Sequence, residues 1–272
     1  MAGLIDTAVT GLKLSQLSLN TAGQNIVNAN NEGYSRQTVV AETLPSQFVG
    51  VGYVGSGVTV SQIARNTEQY LIDQVSNDLS VLGEFEQYLS NINQMDNLLA
   101  DPATSVASSI SDFFTALNQA AFDPASIENR QLLLDQTDLL LGRFTQTETK
   151  ILNQNASLNS QLESLARNVT TIGQEIAQLN VSISSSPGVS NGIYPNDLLD
   201  RRDILVRELA SIVDVRTSVD ANLAMSVFIG EGQGLVIGPR SAEFAAVPGQ
   251  YNPAVTELAF MVKFSEIGLN LT

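Results

Sequence analysis

The stretch "IENRQLLLDQTDLLLGRFTQTETKILNQNASLNSQLESLARNVTTIGQEIAQLNVSIS", residues 127–184, decides the fold class. Its apolar residues recur in steps of three, four or their sums, which predicts one continuous amphipathic helix. The seam consists of Leu133, Leu140, Phe144, Ile151, Leu158, Leu162, Leu165, Val169, Ile172, Ile176, Leu179 and Ile183. One extra step of four at Leu158–Leu162 is typical of a stutter. At 1.5 Å per residue this helix is a rod of roughly 85 Å, so we expect an elongated helical bundle or coiled coil.

Further helices are predicted before the long one. A helical pattern runs from about Ser61 to Ala100, and "DPAT" at 101–104 ends it and starts another helix, because proline is accepted in a first turn but not in an interior. "DPAS" at 123–126 likewise predicts the end of one helix and the start of the next. Phe113, Phe114 and Phe144 lie at helical core spacing, so we expect them in the core.

The chain changes character after the long helix. "SSSPGVSNGIYPN" (184–196) predicts a loop, and "NDLLDRRDILVRELASIV" predicts a helix capped by Asn196 or Asp197. Its inward residues are Leu198, Leu205, Leu209 and Ile212. After Val213, "VDVRTSV", "LAMSVFIG", "GLVIG" and "ELAFMVKF" predict strands separated by turns. The predicted fold class is therefore mostly α, with a long helix and a small C-terminal β region.

The N-terminal segment carries a second seam. Large apolar residues stand seven apart, each followed three residues later by a small one, which is a heptad pattern that lets a partner helix approach closely. The seam residues are Ile5, Ala8, Leu12, Ser15, Leu19, Ala22, Ile26 and Ala29. Leu14 and Leu17 lie off this seam, so we expect a helix from about Leu4 to Asn28 to pack on more than one side.

A glycine-rich segment follows, "FVGVGYVGSGVTVSQI" at 48–63. Gly50, Gly52 and Gly55 match the dinucleotide-binding pattern, but that motif needs a helix to open on its last glycine. Val58 to Val60 predicts more strand instead. We therefore expect an extended linker or hairpin rather than a nucleotide site.

Composition excludes several classes of function. The net charge of −15 argues against nucleic-acid binding, which needs clustered basic residues. The chain has no Cys and no His, which removes thiol chemistry, His-based triads and the common zinc sites. Asp197, Asp200 and Asp203 lie beside Arg201 and Arg202, and we expect local ion pairs on one helix face rather than a metal site. No enzyme activity, cofactor or metal is expected.

The stretch "QNIVNANNEGYSRQ" (24–37) resembles the N-terminal motif of the flagellar axial proteins, which are the rod, hook and hook-associated proteins. The joint motif here comprises Asn25, Asn28, Asn30, Gly33, Tyr34 and Arg36. Ser35-Arg36-Gln37, "GSGVTV" (55–60), "MDNLLADP" (95–102) and "DLLDRRDILVREL" (197–209) are more similar to the hook-associated members at the hook–filament junction than to rod or hook proteins.

The resemblance implies a structural protein with no cofactor. It would be exported by the flagellar type III apparatus without signal cleavage and would lie outside the cell in the flagellum. It would form a homo-oligomeric ring between neighbouring hook and hook-associated subunits, and an export chaperone is implied as a partner. Residues 1–37 would be the polymer-core helix and joint, with the helix paired to a C-terminal helix.

The remaining predicted divisions are 38–62, an extended linker, 63–212, a helical rod domain, and 213–272, a β-rich region that we expect to continue into further domains. Residues 213–272 lack the amphipathic helix with which the family ends, which leaves open whether more chain follows. The alternatives are another axial subunit of rod or hook type, or a secreted coiled-coil adhesin or sensor domain. No membrane span is predicted, since no apolar run reaches 18 residues.

Overall fold

The computed structural model describes residues 2–99, 106–248 and 258–264, and it confirms a mostly helical fold with a small β region. The helices are α1 (Ala2–Val27), α2 (Gln69–Leu99), α3 (Val106–Phe122), α4 (Ile127–Ser184) and α5 (Asn196–Ala210). The strands are β1 (Gln37–Thr43), β2 (Gln47–Phe48), β3 (Tyr53–Val54), β4 (Val58–Arg65), β5 (Val215–Val219), β6 (Met225–Ile229), β7 (Gln233–Ile237), β8 (Arg240–Pro248) and β9 (Leu258–Phe264). The long helix begins and ends where its apolar pattern predicts.

The chain divides into two compact units. Unit 1 comprises Met1–Gly83, Arg167–Ala245 and Met261–Thr272, and unit 2 comprises Glu84–Ala166 and Ala246–Phe260. Helices α2 and α4 contribute residues to both units. The four-part division expected from the sequence stays a prediction.

Unit 1 is built on one hydrophobic core. The C-terminal half of α4 and the inner face of α5 pack with a five-stranded sheet of order β5-β6-β7-β8-β9. In β6, Met225, Val227 and Ile229 are buried while their neighbours are half-buried, as a strand with one face on the core requires. The largest side chains with less than 2% exposure are Ile176, Ile183, Leu209, Leu235, Val169, Val227 and Val236, together with Asn180.

The predicted start of α2 is wrong by eight residues. Residues 58–65 form β4, which pairs antiparallel with β1 from Gln37↔Arg65 to Thr43↔Val58. The ladder gives backbone N–H and C=O groups of β4 hydrogen-bond partners in β1. These groups are therefore not available for a helix that begins at Ser61. Beyond this hairpin, β2 and β3 close a tight turn in which the Val49 N–H donates to the Gly52 carbonyl at 2.9 Å. The glycine-rich segment is thus a hairpin, as expected.

Unit 2 contradicts the expected placement of two aromatic residues in the core. The side chains of Phe114 and Phe144 are 55% and 50% exposed. The buried apolar residues described in unit 2 are Ala116 and Ala166. Small residues are buried easily where helices pack closely. Large side chains on a wide apolar face stay exposed unless another layer of secondary structure covers them. The turn "DPAS" separates α3 from α4 as predicted, and "DPAT" lies outside the described residues.

Candidate functional site

Helix α1 packs its inner face against the β1–β4 hairpin. Leu14 and Leu17 are half-buried on this side, and Thr21 is buried. The Val58 N–H donates to the Thr10 hydroxyl at 3.3 Å. The two leucines that lie off the heptad seam therefore hold the helix to its own hairpin.

The opposite face of α1 carries the predicted seam, and all eight seam residues are exposed. Ile5, Leu12, Leu19 and Ile26 are 65%, 60%, 74% and 76% exposed. Leaving four large aliphatic side chains in water along one helix forfeits the favourable burial that each would gain against a partner. This exposed apolar seam is the first half of the candidate site; its contact with a partner stays a prediction.

Asn25 fastens the end of α1 to the start of β1. Its amide Nδ2 donates to the Gln37 carbonyl at 2.8 Å, and its Oδ1 accepts from the Gln37 N–H at 2.9 Å. The Tyr34 hydroxyl donates to the same Oδ1 at 2.9 Å. The Asn25 side chain thus bonds both backbone groups of Gln37, as a paired strand would. The bond from Tyr34 fixes the segment that leads from α1 to β1.

The other asparagines of the joint shape its turns. Asn28 Nδ2 donates to the Gln24 carbonyl at 3.0 Å, and the Asn31 N–H donates to the Asn28 carbonyl at 2.9 Å. Asn30 and Arg36 are exposed, and the Arg36 carbonyl accepts from the Asn66 N–H at 2.8 Å. The joint is therefore an ordered turn in which asparagine side chains and backbone groups are hydrogen-bonded locally.

Gly33 lets the joint approach α5 closely. Its φ of 85° lies in the left-handed region, and a Cβ added there would come within 2.4 Å of the Ile204 side chain. Next to it, the Ser35 N–H donates to Asp200 Oδ2 at 3.0 Å. Only glycine meets both demands, the positive φ and the short approach.

The aspartates of α5 do not pair locally, which corrects the sequence-based expectation. Arg65, at the end of β4, binds Asp200 Oδ1 at 2.8 Å and Asp203 Oδ2 at 2.7 Å. Burial acts to lower the pKa of the Arg65 guanidinium, but the hydrogen bonds and charges of these two carboxylates outweigh it and raise the pKa above its ordinary value. Asn196 also bridges to β4, donating to the Ile63 carbonyl at 2.8 Å.

A buried polar cluster lies within the unit 1 core, and Arg202 belongs to it rather than to the local ion pairs that the sequence predicts. Asn180 donates to the Met225 and Gly238 carbonyls, each at 2.7 Å, and accepts from the Met225 N–H at 3.0 Å. Arg202 donates to Asn180 Oδ1 at 3.0 Å. By their spacing, both side chains lie on apolar helix faces. Their hydrogen-bond partners belong to other elements, so the spacing does not predict them. The cluster locks α4 and α5 to the sheet.

Two further kinds of site were sought among the residues that the structure describes. No group of three acidic side chains there is arranged to hold a metal ion. No helix in the described part is both long and apolar enough to cross a membrane. The candidate site thus consists of the exposed seam of α1 and the joint that ties this helix to β1 and α5.

A family model, the flagellar hook-associated protein FlgK helical domain, matches residues 92–269. The chain belongs to the FlgK family. It is 34% identical over 264 residues to flagellar hook-associated protein 1 of Salmonella typhimurium, covering 96% of this chain and 47% of that protein. The Escherichia coli protein of that name is 33% identical, with 96% and 48% covered.

A solved structure agrees with the family assignment. The flagellar hook junction protein FlgK from Burkholderia pseudomallei is similar in fold, with a TM-score of 0.65 and 26% identity. The match covers 71% of this chain and 34% of that chain. The chain spans about half the length of the curated relatives that it matches.

Proposed function

We propose that this chain is a structural subunit of the bacterial flagellum that joins hook to filament, and that it is not an enzyme. The observation that carries the proposal is the two-faced helix α1, which is fastened to its own body on one side and carries an exposed heptad seam on the other. Membership of the FlgK family supports this role, since the relatives are named for the hook and its junction.

The seam supplies the attraction between subunits. Burial of apolar surface yields roughly 25 cal/mol per Å², so four large side chains and the small ones between them contribute several kcal/mol per helix contact. Such a contact repeated between neighbouring copies, and with hook and hook-associated subunits, stabilises a ring without any single tight interface. The alternation of large and small residues sets how closely the partner helix approaches.

The joint transmits force from that helix to the rest of the chain. Asn25 ties α1 to β1, Gly33 and Ser35 seat the joint on α5, and Arg65 ties β4 to α5 through Asp200. Force applied to α1 is thereby transmitted through these hydrogen bonds and ion pairs rather than through a loop that makes no contacts. The same three links fix the angle between the helix and α5.

The proposed location and partners are supported by membership of the family. The chain would reach the outside of the cell through the flagellar export apparatus without a cleaved signal, guided by an export chaperone. It would then form a homo-oligomeric ring, with its core helix paired to another helix of the family's terminal type. The domain divisions 1–37, 38–62, 63–212 and 213–272 would correspond to core helix with joint, linker, rod domain and the start of outer regions.

The experiment removes residues 1–37 from the full protein in the cells that produce it. Electron microscopy of isolated flagella, with antibody against the protein, reads out both its position and the attachment of filaments. We expect hooks without attached filaments and the label lost from the junction. Normal junctions in the truncated strain, or label spread along the whole hook in the unaltered one, would contradict the proposal.

A further inference from the structure

The β2–β3 turn forms an exposed apolar knob. Phe48 and Tyr53 pack their rings at a centroid distance of 5.4 Å and are still 65% and 78% exposed. Val49, Val51 and Val54 around them are 54%, 99% and 54% exposed. We call these five residues the knob. Aromatic side chains that water surrounds on most sides are typical of interaction surfaces, because they bury a large area once covered.

A cavity of about 320 Å³ lies where the joint, the start of α2 and α5 meet. Leu71, Ile72 and Val75 give it an apolar wall, with Tyr34 beside them and Glu68 and Arg207 at the edge. We call these six residues the socket. A cavity of roughly 150 Å³ accommodates a benzene ring, so this one has room for an aromatic side chain and a small neighbour.

The knob and the socket lie at opposite ends of the same hairpin. The socket adjoins its base, where Gln37 pairs with Arg65, and the knob extends beyond the last pair, Thr43 with Val58. The ladder alone separates these ends by roughly 20 Å, at about 3.4 Å per residue. A knob held on its own two strands therefore lies out of reach of its own socket. Complementary surfaces at opposite ends of one element produce head-to-tail contacts, which close into rings or continue as helices.

The head-to-tail placement of the two surfaces favours a second copy of this chain as the occupant, and the distribution of charge permits it. No charged residue lies between Glu42 and Arg65, so the knob and its strands are neutral. Residues 1–65 hold Lys13, Arg36 and Arg65 against Asp6, Glu32 and Glu42, which leaves the whole net charge of −15 on the rest of the chain. Copies of so acidic a protein repel one another, and a neutral hairpin is the part that approaches a neighbour without that cost.

We propose that the knob of one copy inserts into the socket of the next copy, with the Phe48 ring against Leu71 and Val75. The contact rests on the proposed assembly of subunits and adds a second link to the α1 seam. Five side chains cover less than the roughly 800 Å² that each partner buries in a stable free-standing interface. The contact therefore forms in the assembled ring, and it is too small to make the isolated chain dimerise.

The test places a photo-crosslinking benzoylphenylalanine at position 48 of the full protein, expressed in its own cells. After irradiation, the protein is purified and cross-linked peptides are mapped by mass spectrometry, while antibody labelling reports its location separately. We expect a dimer band whose cross-link joins position 48 to residues 67–75 or to Arg207 of a second copy. The same probe at Phe122, which is 96% exposed in unit 2, is the matched control and is expected to give no link to the socket.

Each outcome decides the proposal. A cross-link from position 48 to another protein, or to a different part of a second copy, overturns it, as does a monomer band alone. Val75→Asp in the probe-bearing protein should reduce the dimer band at least tenfold, because it places a charge where the ring packs. An unchanged band in that variant would also count against the socket. A socket cross-link in protein found away from the junction would instead contradict the proposed function and leave this contact standing.

Discussion

Two helices of this protein carry apolar seams that look alike in sequence and differ entirely in burial. In the C-terminal half of α4, Val169, Ile176 and Ile183 are fully buried against α5 and the sheet. In α1, Leu12 and Leu19 are 60% and 74% exposed. The difference teaches that periodicity specifies which face of a helix is apolar, whereas the partner of that face depends on whether the same chain supplies one. The α4 seam is buried within unit 1, whereas the α1 seam is exposed to solvent and has, under the proposed function, other subunits as its partners.

The largest effect is expected where the buried seam is broken. Ile176→Ala removes a side chain with 0% exposure and leaves a cavity, so it should lower the free energy of unfolding by about 4 kcal/mol. Urea unfolding followed by circular dichroism measures this. The matched control is Ile151→Ala in the same helix, at a residue 42% exposed, where about 1 kcal/mol is expected. Equal losses in the two variants would mean that the core of unit 1 is not the main source of stability.

The joint should show an intermediate effect. Asn25→Ala removes three hydrogen bonds and leaves the Gln37 N–H and carbonyl without their side-chain partner, so the local loss should be about 2 kcal/mol. Hydrogen exchange of the Gln37 amide reads this directly, with acceleration of roughly thirtyfold expected from that free energy.

A control variant separates fastening from local turn formation. Asn28→Ala loses side-chain bonds that stay within one helical turn, to the Gln24 carbonyl and amide oxygens, so the Gln37 amide should keep its exchange rate. Faster exchange at Gln37 in the Asn28 variant, or none in the Asn25 variant, would show that the link runs through other residues.

The sequence predicted these features unevenly, for physical reasons. The bounds of α4 and the inward face of α5 follow from local spacing and turn chemistry. The pairing of Arg65 with Asp200 joins residues 135 apart, and no local pattern encodes such a partner. The start of α2 differs from the prediction because Ser61 to Arg65 has acceptable helical spacing but pairs with β1 in a ladder instead. Phe144 has the spacing of a core residue, yet half of its side chain is exposed, because spacing alone does not supply a partner for an apolar face.

A smaller effect is expected at the start of α4. The Ser126 hydroxyl accepts from the Asn129 N–H at 3.1 Å and donates to Glu128 at 2.9 Å. Ser126→Ala should therefore cost about 1 kcal/mol, the usual contribution of an N-cap, and Ser126→Asp should restore it. Thermal unfolding of the chain measures both variants. An alanine variant as stable as the unaltered chain would mean that water caps this terminus equally well.

The pH dependence of that cap has a defined sign. The backbone N–H of Glu128 and the Ser126 hydroxyl both lower the pKa of the Glu128 carboxyl. A carboxyl whose pKa is lowered on folding stabilises the helix start at neutral pH and loses that contribution as the pH falls through the lowered pKa. Replacement of Glu128 by Gln should therefore remove this acid-dependent part, measured by thermal unfolding between pH 7 and pH 3.

The most direct test of the two-seam account is Leu12→Gln with Leu19→Gln, since glutamine keeps helix propensity and removes the apolar surface. Both side chains are exposed, so the free energy of unfolding of the isolated chain should change by less than about 0.5 kcal/mol per site. Filament attachment in cells that produce the variant, counted by electron microscopy, should nevertheless fall at least tenfold. Full attachment, or a loss of stability as large as that of Ile176→Ala, would contradict the claim that this seam serves assembly rather than folding.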